Sequence, residues 1–176
     1  MPFKCTPKTY TEPELYDYSV GALGRKMRTV AELKRLLRQR CPDAEMIERI
    51  VTRLKDQKYL NDSSYAASYS SFRRDNQKFG QRRVITDLKV KGVHRELIEK
   101  AVADTYGGVN EEELARAFLR RKRLAKPANN KEAARVFRAL VRAGFSAGVS
   151  IRILKNWDVE DEVLTALQEE NLPSEG

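Results

Sequence analysis

The segment Leu88-Lys89-Val90-Lys91-Gly92-Val93 returns as Leu140-Val141-Arg142-Ala143-Gly144-Phe145. A degenerate copy stands earlier, as Leu37-Arg38-Gln39-Arg40-Cys41-Pro42. Each copy reads as the end of a basic amphipathic helix, a stop residue and the start of another helix. The copies lie roughly fifty residues apart, a period that marks stacked supersecondary units. Repeated helical modules present a long surface rather than one deep pocket, which points away from an enzyme and toward a binding protein.

Working outward from these stops, helices fall in threes. Thr11-Glu12-Pro13-Glu14 opens the first, with Thr11 as cap and Glu14 at the capping-box position. Leu15, Tyr18 and Ala22 then face inward until about Lys26. Thr29-Val30-Ala31-Glu32 is a second capping box, followed by Val30, Leu33 and Leu37 on one face. Cys41-Pro42-Asp43 ends that helix and caps a third, with Ile47, Ile50, Val51 and Leu54 inward. Asn61-Asp62 starts the second trio. Tyr65, Tyr69 and Phe72 step along one face, and this spacing favours core packing over a base-stacking platform. Val84, Ile85 and Leu88 follow, and Gly92 supplies a left-handed stop. Leu97, Ile98, Ala101 and Val102 complete the trio. Asn110 and Glu113 open the third, where Leu114, Ala117, Phe118 and Leu124 face inward. Pro127 to Asn130 breaks the chain before Ala133, Phe137, Leu140 and Val141. Val149, Ile153, Leu154 and Trp157 carry the last face, and a tail helix from Asp158 to about Glu169 adds Val163, Leu164 and Leu167.

The expected fold is therefore all-α: three tandem three-helix modules in an elongated, curved array. The divisions are a leader at 1–10, modules at 11–60, 61–106 and 107–157, and a tail helix with an acidic end at 158–176. Gly107-Gly108 is where the array is expected to bend. A module of about fifty residues is marginal alone, so packing between modules is expected.

The catalytic inventory is thin. His94 is the sole histidine and reads as a helix start. Cys5 and Cys41 offer neither a disulfide framework nor metal spacing. Gly21-Ala22-Leu23-Gly24 lies inside a helix and lacks the Lys-Ser/Thr ending of a phosphate loop. The acidic runs Glu111-Glu112-Glu113 and Glu160-Asp161-Glu162 fall in first helical turns, where they complement the dipole. No catalytic residue, metal or cofactor is expected. With no signal peptide and no apolar run long enough for a bilayer, the expected location is the reduced cytoplasm.

The charge is more informative. Thirty-four Lys and Arg against 25 Asp and Glu leave a net charge of +9, which suits a polyanionic partner. The cations cluster on the middle helix of each module. Lys34, Arg35, Arg38 and Arg40 lie in the first, and Arg82, Arg83, Lys89 and Lys91 in the second. Lys131, Arg135, Arg138 and Arg142 lie in the third, whose opening helix adds Arg116, Arg120, Arg121, Lys122, Arg123 and Lys126. Such stripes suit a phosphate backbone and an acidic protein groove equally. The candidate binding residues are Lys34, Arg35, Arg38, Arg82, Arg83, Lys89, Lys91, Arg120, Arg121, Lys122, Arg123, Arg135 and Arg138.

An ordered set of motifs resembles the RecX family. It runs through Lys58-Tyr59-Leu60-Asn61-Asp62, Ser64 to Tyr69, Phe79-Gly80-Gln81-Arg82-Arg83-Val84 and Asp87 to Val93. It continues through Lys131 to Arg135 and Ala139 to Phe145, and the stretch from Ala31 to Leu37 fits the first module. Cys41-Pro42 departs from the glycine usual at the first module's helix end, and Asp87 from the more usual glutamate. The resemblance covers about Glu14 to Lys155. It implies a bacterial regulator of RecA recombinase in recombination and DNA repair, a non-enzymatic monomer that binds RecA–DNA filaments and suppresses ATP hydrolysis and strand exchange. Direct contact with single- or double-stranded DNA is a further expectation. The alternative is a helix-turn-helix-like DNA-binding protein; against it, third helices such as 95–104 are mixed in charge while the middle helices are basic.

Overall fold

The structure is a computed structural model that describes residues 10–170. Among these residues are ten helices: α1 Glu12–Arg25, α2 Val30–Arg38, α3 Ala44–Asp56, α4 Asp62–Asp75, α5 Gln81–Val90, α6 Arg95–Tyr106, α7 Glu111–Lys122, α8 Asn130–Arg142, α9 Ala147–Lys155 and α10 Asp161–Glu170. No strand occurs among the described residues. The leader, Cys5 included, lies outside them except for Tyr10, as does the acidic end beyond Glu170.

Contacts gather the chain into two compact units, a division different from the sequence period. One unit takes the described residues through Ser68 together with Leu88–Ile98; the other takes Tyr69–Asp87 and the residues from Glu99 onward. The second trio, α4 to α6, is thus divided between them.

In the first unit α1, α2 and α3 enclose Leu15, Leu33, Leu37, Ile47, Ile50, Val51, Leu54 and Leu60. Local chemistry starts these helices. The Glu14 carboxylate accepts the Thr11 backbone N–H at 2.9 Å. Thr29 and Glu32 close a reciprocal box, with Glu32 N–H donating to Thr29 Oγ1 at 3.1 Å and Thr29 N–H to Glu32 Oε2 at 3.2 Å. The second unit centres on Phe118, Phe137, Leu140, Phe145, Val149, Ile153 and Leu154, closed over by Leu164 and Leu167 of α10. Three rings run through it, Phe79 against Phe118 at 6.1 Å and Phe118 against Phe145 at 5.8 Å between centroids. These tilted pairs add to what burial alone supplies.

Three expectations need correction. Phe72 does not join the core and is 52% exposed, although Tyr65 on the same helix is buried. In α7 the buried face is Ala115, Phe118 and Leu119, with Leu114, Ala117 and Leu124 only partly covered. Leu114 and Leu124 pack against the margin of that core as expected, while Ala115 and Leu119 join Phe118 inside it and Ala117 does not. The first repeat's stop also differs in kind. At Gly92 and Gly144 the backbone is left-handed, with φ +75° and +94°. There Val93 N–H reaches Leu88 C=O at 3.1 Å and Phe145 N–H reaches Leu140 C=O at 3.2 Å, closing Schellman ends. Cys41 makes no such turn; its N–H returns to Leu37 C=O at 2.9 Å, and its own side chain fills the buried place.

The glycine stops do more than end helices. In the second unit Gly80 N–H, at the start of α5, donates to Ala143 C=O at the end of α8, 2.9 Å away. A Cβ on Gly80 would lie 2.3 Å from Gly144 O, and one on Gly144 would lie 2.3 Å from Arg83 N. In the first unit the start of α2 meets the end of α5: Thr29 Oγ1 donates to Lys91 C=O at 2.7 Å, and a Cβ on Gly92 would lie 2.5 Å from Ala31 Cβ. Each joint brings the positive end of one middle helix to the negative end of another and satisfies groups that helix ends leave open.

A contrast between glycines tests the joints. Gly80→Ala and Gly144→Ala should each lose about 2–3 kcal/mol of stability, because the colliding atoms are backbone. Gly21→Ala, in α1 with nothing near its Cβ position, should gain about 0.5–1 kcal/mol. Urea unfolding of the three variants measures the difference.

Candidate cationic binding surface

The cations divide into those the fold consumes and those it leaves free. In the first unit, Lys34 of α2 pairs with Glu48 of α3 at 2.6 Å. Arg35 reaches across the joint, its guanidinium donating to Val90 C=O at 3.2 Å, one of the open carbonyls ending α5. Lys91 bonds Glu32 at 2.8 Å and stands 5.6 Å from the centre of the Tyr65 ring. Arg38 and Lys89 are exposed and in no ion pair among the described residues.

In the second unit Arg83 binds Asp87 one turn on, at 3.0 Å. Asp87 also accepts from the Tyr69 hydroxyl at 2.9 Å and lies 3.4 Å from Arg73. Arg73 was missed by the sequence reading. It is enclosed, with its guanidinium over the Tyr69 ring at 4.7 Å and the Phe79 ring at 5.4 Å. Burial, the first cause, raises the Tyr69 phenol above its usual range, as does the adjoining Asp87. Arg138 is 3.6 Å from Glu170 of α10.

Arg82, Arg120, Arg121, Lys122, Arg123 and Arg135 remain exposed and in no ion pair among the described residues. Arg120, Arg121 and Lys122 form the last turn of α7, and Arg123 caps it in the left-handed region at φ +55°. Cations there complement the helix dipole, so they favour the helix while facing solvent. Arg135 and Arg138 are joined by Lys131, one turn earlier, in lining a shallow recess with Asn129 and Glu132. Lys131 belongs to the stripe seen in the sequence, four residues before Arg135, which stands three before Arg138.

No group of three or more His, Cys, Asp or Glu suited to a metal occurs among the described residues. His94 is exposed just before α6, and its C=O accepts Ile98 N–H at 3.1 Å. Among the described residues no helix is long and apolar enough to cross a membrane.

Comparison with known proteins bears on an all-helical chain with this repeat and these free cations. The family model described as "RecX, second three-helix domain" matches residues 61–102. The "Regulatory protein RecX" of Myxococcus xanthus is 31% identical over 170 residues, covering 87% of this chain and 88% of that protein.

The chain belongs to the RecX family.

The namesake from Finegoldia magna is 29% identical over 94 residues, and the aligned part is 53% of this chain and 46% of that relative's length. For the fold, the crystal structure of RecX from Lactobacillus salivarius superposes with a TM-score of 0.64 at 21% identity, over 84% of this chain and 96% of that one. The relatives are named regulatory proteins, and this chain is a RecX-family regulatory protein in that sense.

The Glu32–Lys91 pair gives a pH-dependent test of the first joint. Burial raises the Glu32 carboxyl, but the Lys91 hydrogen bond and the Thr29 N–H outweigh it, leaving it below the ordinary 4.5. Burial likewise opposes the Lys91 charge, and its bonds to Glu32 and Tyr65 leave it above 10.5. The Glu32 contribution is present above its unfolded value and lost as pH falls through the folded one; that of Lys91 is present below its unfolded value and lost as pH rises through the folded one. Lys91→Met should cost about 1–2 kcal/mol at neutral pH, the pair being only partly exposed. Urea titrations of parent and variant should converge as pH falls below 4.5, where Glu32 takes up its proton.

Proposed function

We propose that this protein is a negative regulator of RecA recombinase. It binds the RecA–DNA filament and suppresses ATP hydrolysis and strand exchange without chemistry of its own. The observation that carries the reading is the sorting of the cations. Lys34, Arg83 and Lys91 are neutralised by acids of their own unit, whereas Arg38, Arg82, Lys89, Arg120, Arg121, Lys122 and Arg135 face solvent in no ion pair among the described residues.

Leaving cations unpaired on a protein already at +9 costs self-repulsion. A polyanionic partner offsets that cost, and a filament of recombinase on nucleic acid is one. Cations recur in each repeat, so weak contacts of one kind can be made several times along a repeating partner, and multivalency turns them into avidity. Membership in the RecX family supports the same reading. The helix-turn-helix alternative is disfavoured by α6, where Arg95, Glu96, Glu99, Lys100 and Asp104 mix both signs. The site of action in this reading is the cytoplasm, and the working form is a monomer.

The DNA-dependent ATPase of preassembled RecA filaments should slow as the protein is titrated in at low salt; an unchanged rate across the titration contradicts the proposal. The protein alone should hydrolyse no ATP.

Charge reversal locates the contact. Arg120→Glu, Arg121→Glu and Lys122→Glu together should weaken filament binding by about tenfold or more at low salt, with helical content near that of the parent. The deficit should shrink as salt rises, because the missing contribution is electrostatic. Sedimentation with filaments and the ATPase assay read it together.

A further inference from the structure

We propose that the groove between the end of α1 and the start of α4 is a docking site for an acidic protein segment. The segment would place an apolar side chain beside a carboxylate. The groove lies within the first unit, has a volume of about 330 Å³, and is lined by Leu23, Met27, Arg28, Lys58, Tyr59, Asn61 and Ser64. This inference goes beyond the filament reading and does not rest on it.

Two features set this groove apart from ordinary surface. Met27 and Tyr59 are 55% and 58% exposed, large apolar side chains lining the same depression. Tyr59 is held there by the backbone. Lys58 is left-handed at φ +61°, and Tyr59 and Leu60 both return their N–H groups to Leu54 C=O, at 3.0 and 3.2 Å. Leu60 is buried and anchors the turn, so its neighbour is directed outward. The other feature is Arg28, whose Nε–H is buried with no hydrogen-bond partner. A buried donor without an acceptor is costly, and the same residue lines the groove, where its guanidinium charge suits a carboxylate.

Charge decides the class of occupant. The described lining includes Arg28 and Lys58 and no acid, so it complements a carboxylate. Met, Tyr and Arg are the side chains enriched at protein interfaces, and methionine adapts to varied apolar partners. A phosphodiester backbone would satisfy the cations but leave Met27 uncovered, whereas a peptide with Leu or Phe next to Asp or Glu covers both. Asn61 Oδ1 already accepts Ser64 N–H at 3.0 Å, so the amide NH₂ of Asn61 and the hydroxyl of Ser64 remain for the peptide backbone.

Panning a phage-displayed random dodecapeptide library on the immobilised full chain tests this without any recombinase present. Enrichment of peptides pairing Asp or Glu with a neighbouring Leu, Phe or Met is expected. A fluorescein-labelled representative, measured by anisotropy, should bind Tyr59→Ser and Met27→Ser about tenfold more weakly than the parent. Arg28→Met should weaken it similarly. Because Tyr59 and Met27 are exposed, circular dichroism of those two variants should match the parent even if Arg28→Met folds poorly. The proposal is overturned if no acidic–apolar peptide is enriched, or if the enriched peptides bind Tyr59→Ser and Met27→Ser as tightly as the parent. It is equally overturned if a single-stranded oligonucleotide binds the groove through these residues and displaces the peptide. Failure here leaves the ATPase result untouched, and the reverse holds too.

Discussion

The structure depends on a contact between helix ends. At the start of α5 the Gly80 N–H and at the end of α8 the Ala143 C=O would each be open groups in an isolated helix. Joined at 2.9 Å, they satisfy one another, and the approach is possible only because neither Gly80 nor Gly144 carries a Cβ. The start of α2 meets the end of α5 by related means, with Thr29 and Arg35 supplying donors to Lys91 and Val90 carbonyls and Asp62 accepting the Val30 N–H at 2.9 Å. The Asp62 carboxyl pays for that role: burial raises its pKa despite the N–H bond. A three-helix unit of this size is marginal alone, and these joints add contacts that each repeat lacks by itself.

Much of this was legible in the sequence. Period and capping boxes located the helices because both are local: Thr29 and Glu32 need only each other, and Leu33 and Leu37 need only a common face. The glycine stops at Gly92 and Gly144 were readable for the same reason. What those glycines touch was not, since a glycine kept for its φ and one kept for a close approach look alike in one sequence. The left-handed ends at Lys58, Lys78, Arg123 and Asp158 were also hidden, because no glycine marks them. Phe72 was misjudged because its spacing from Tyr65 and Tyr69 defines a face, while burial depends on what stands opposite.

The cationic surface was legible in outline and not in detail. Composition and clustering located the basic helices, yet partners such as Glu48, Glu32 and Glu170 come from other helices, beyond the reach of i,i+4 reasoning. Arg73 shows the converse. It looks like one more surface cation at the end of α4, and it is instead enclosed by Tyr69, Phe79 and Asp87. The thirteen candidates were one class in the sequence and are two in the structure.

A joint made mostly of backbone atoms reads little of the sequence around it. Gly80, Ala143 and Gly144 hold α5 to α8 through amide, carbonyl and the absence of side chains, so the outward positions of both helices are released from any duty to the fold. Arg82 and Arg135 occupy such positions. Their identity is free to drift, or to be tuned against a partner, at almost no expense to stability. Architecture and surface can therefore evolve on separate clocks.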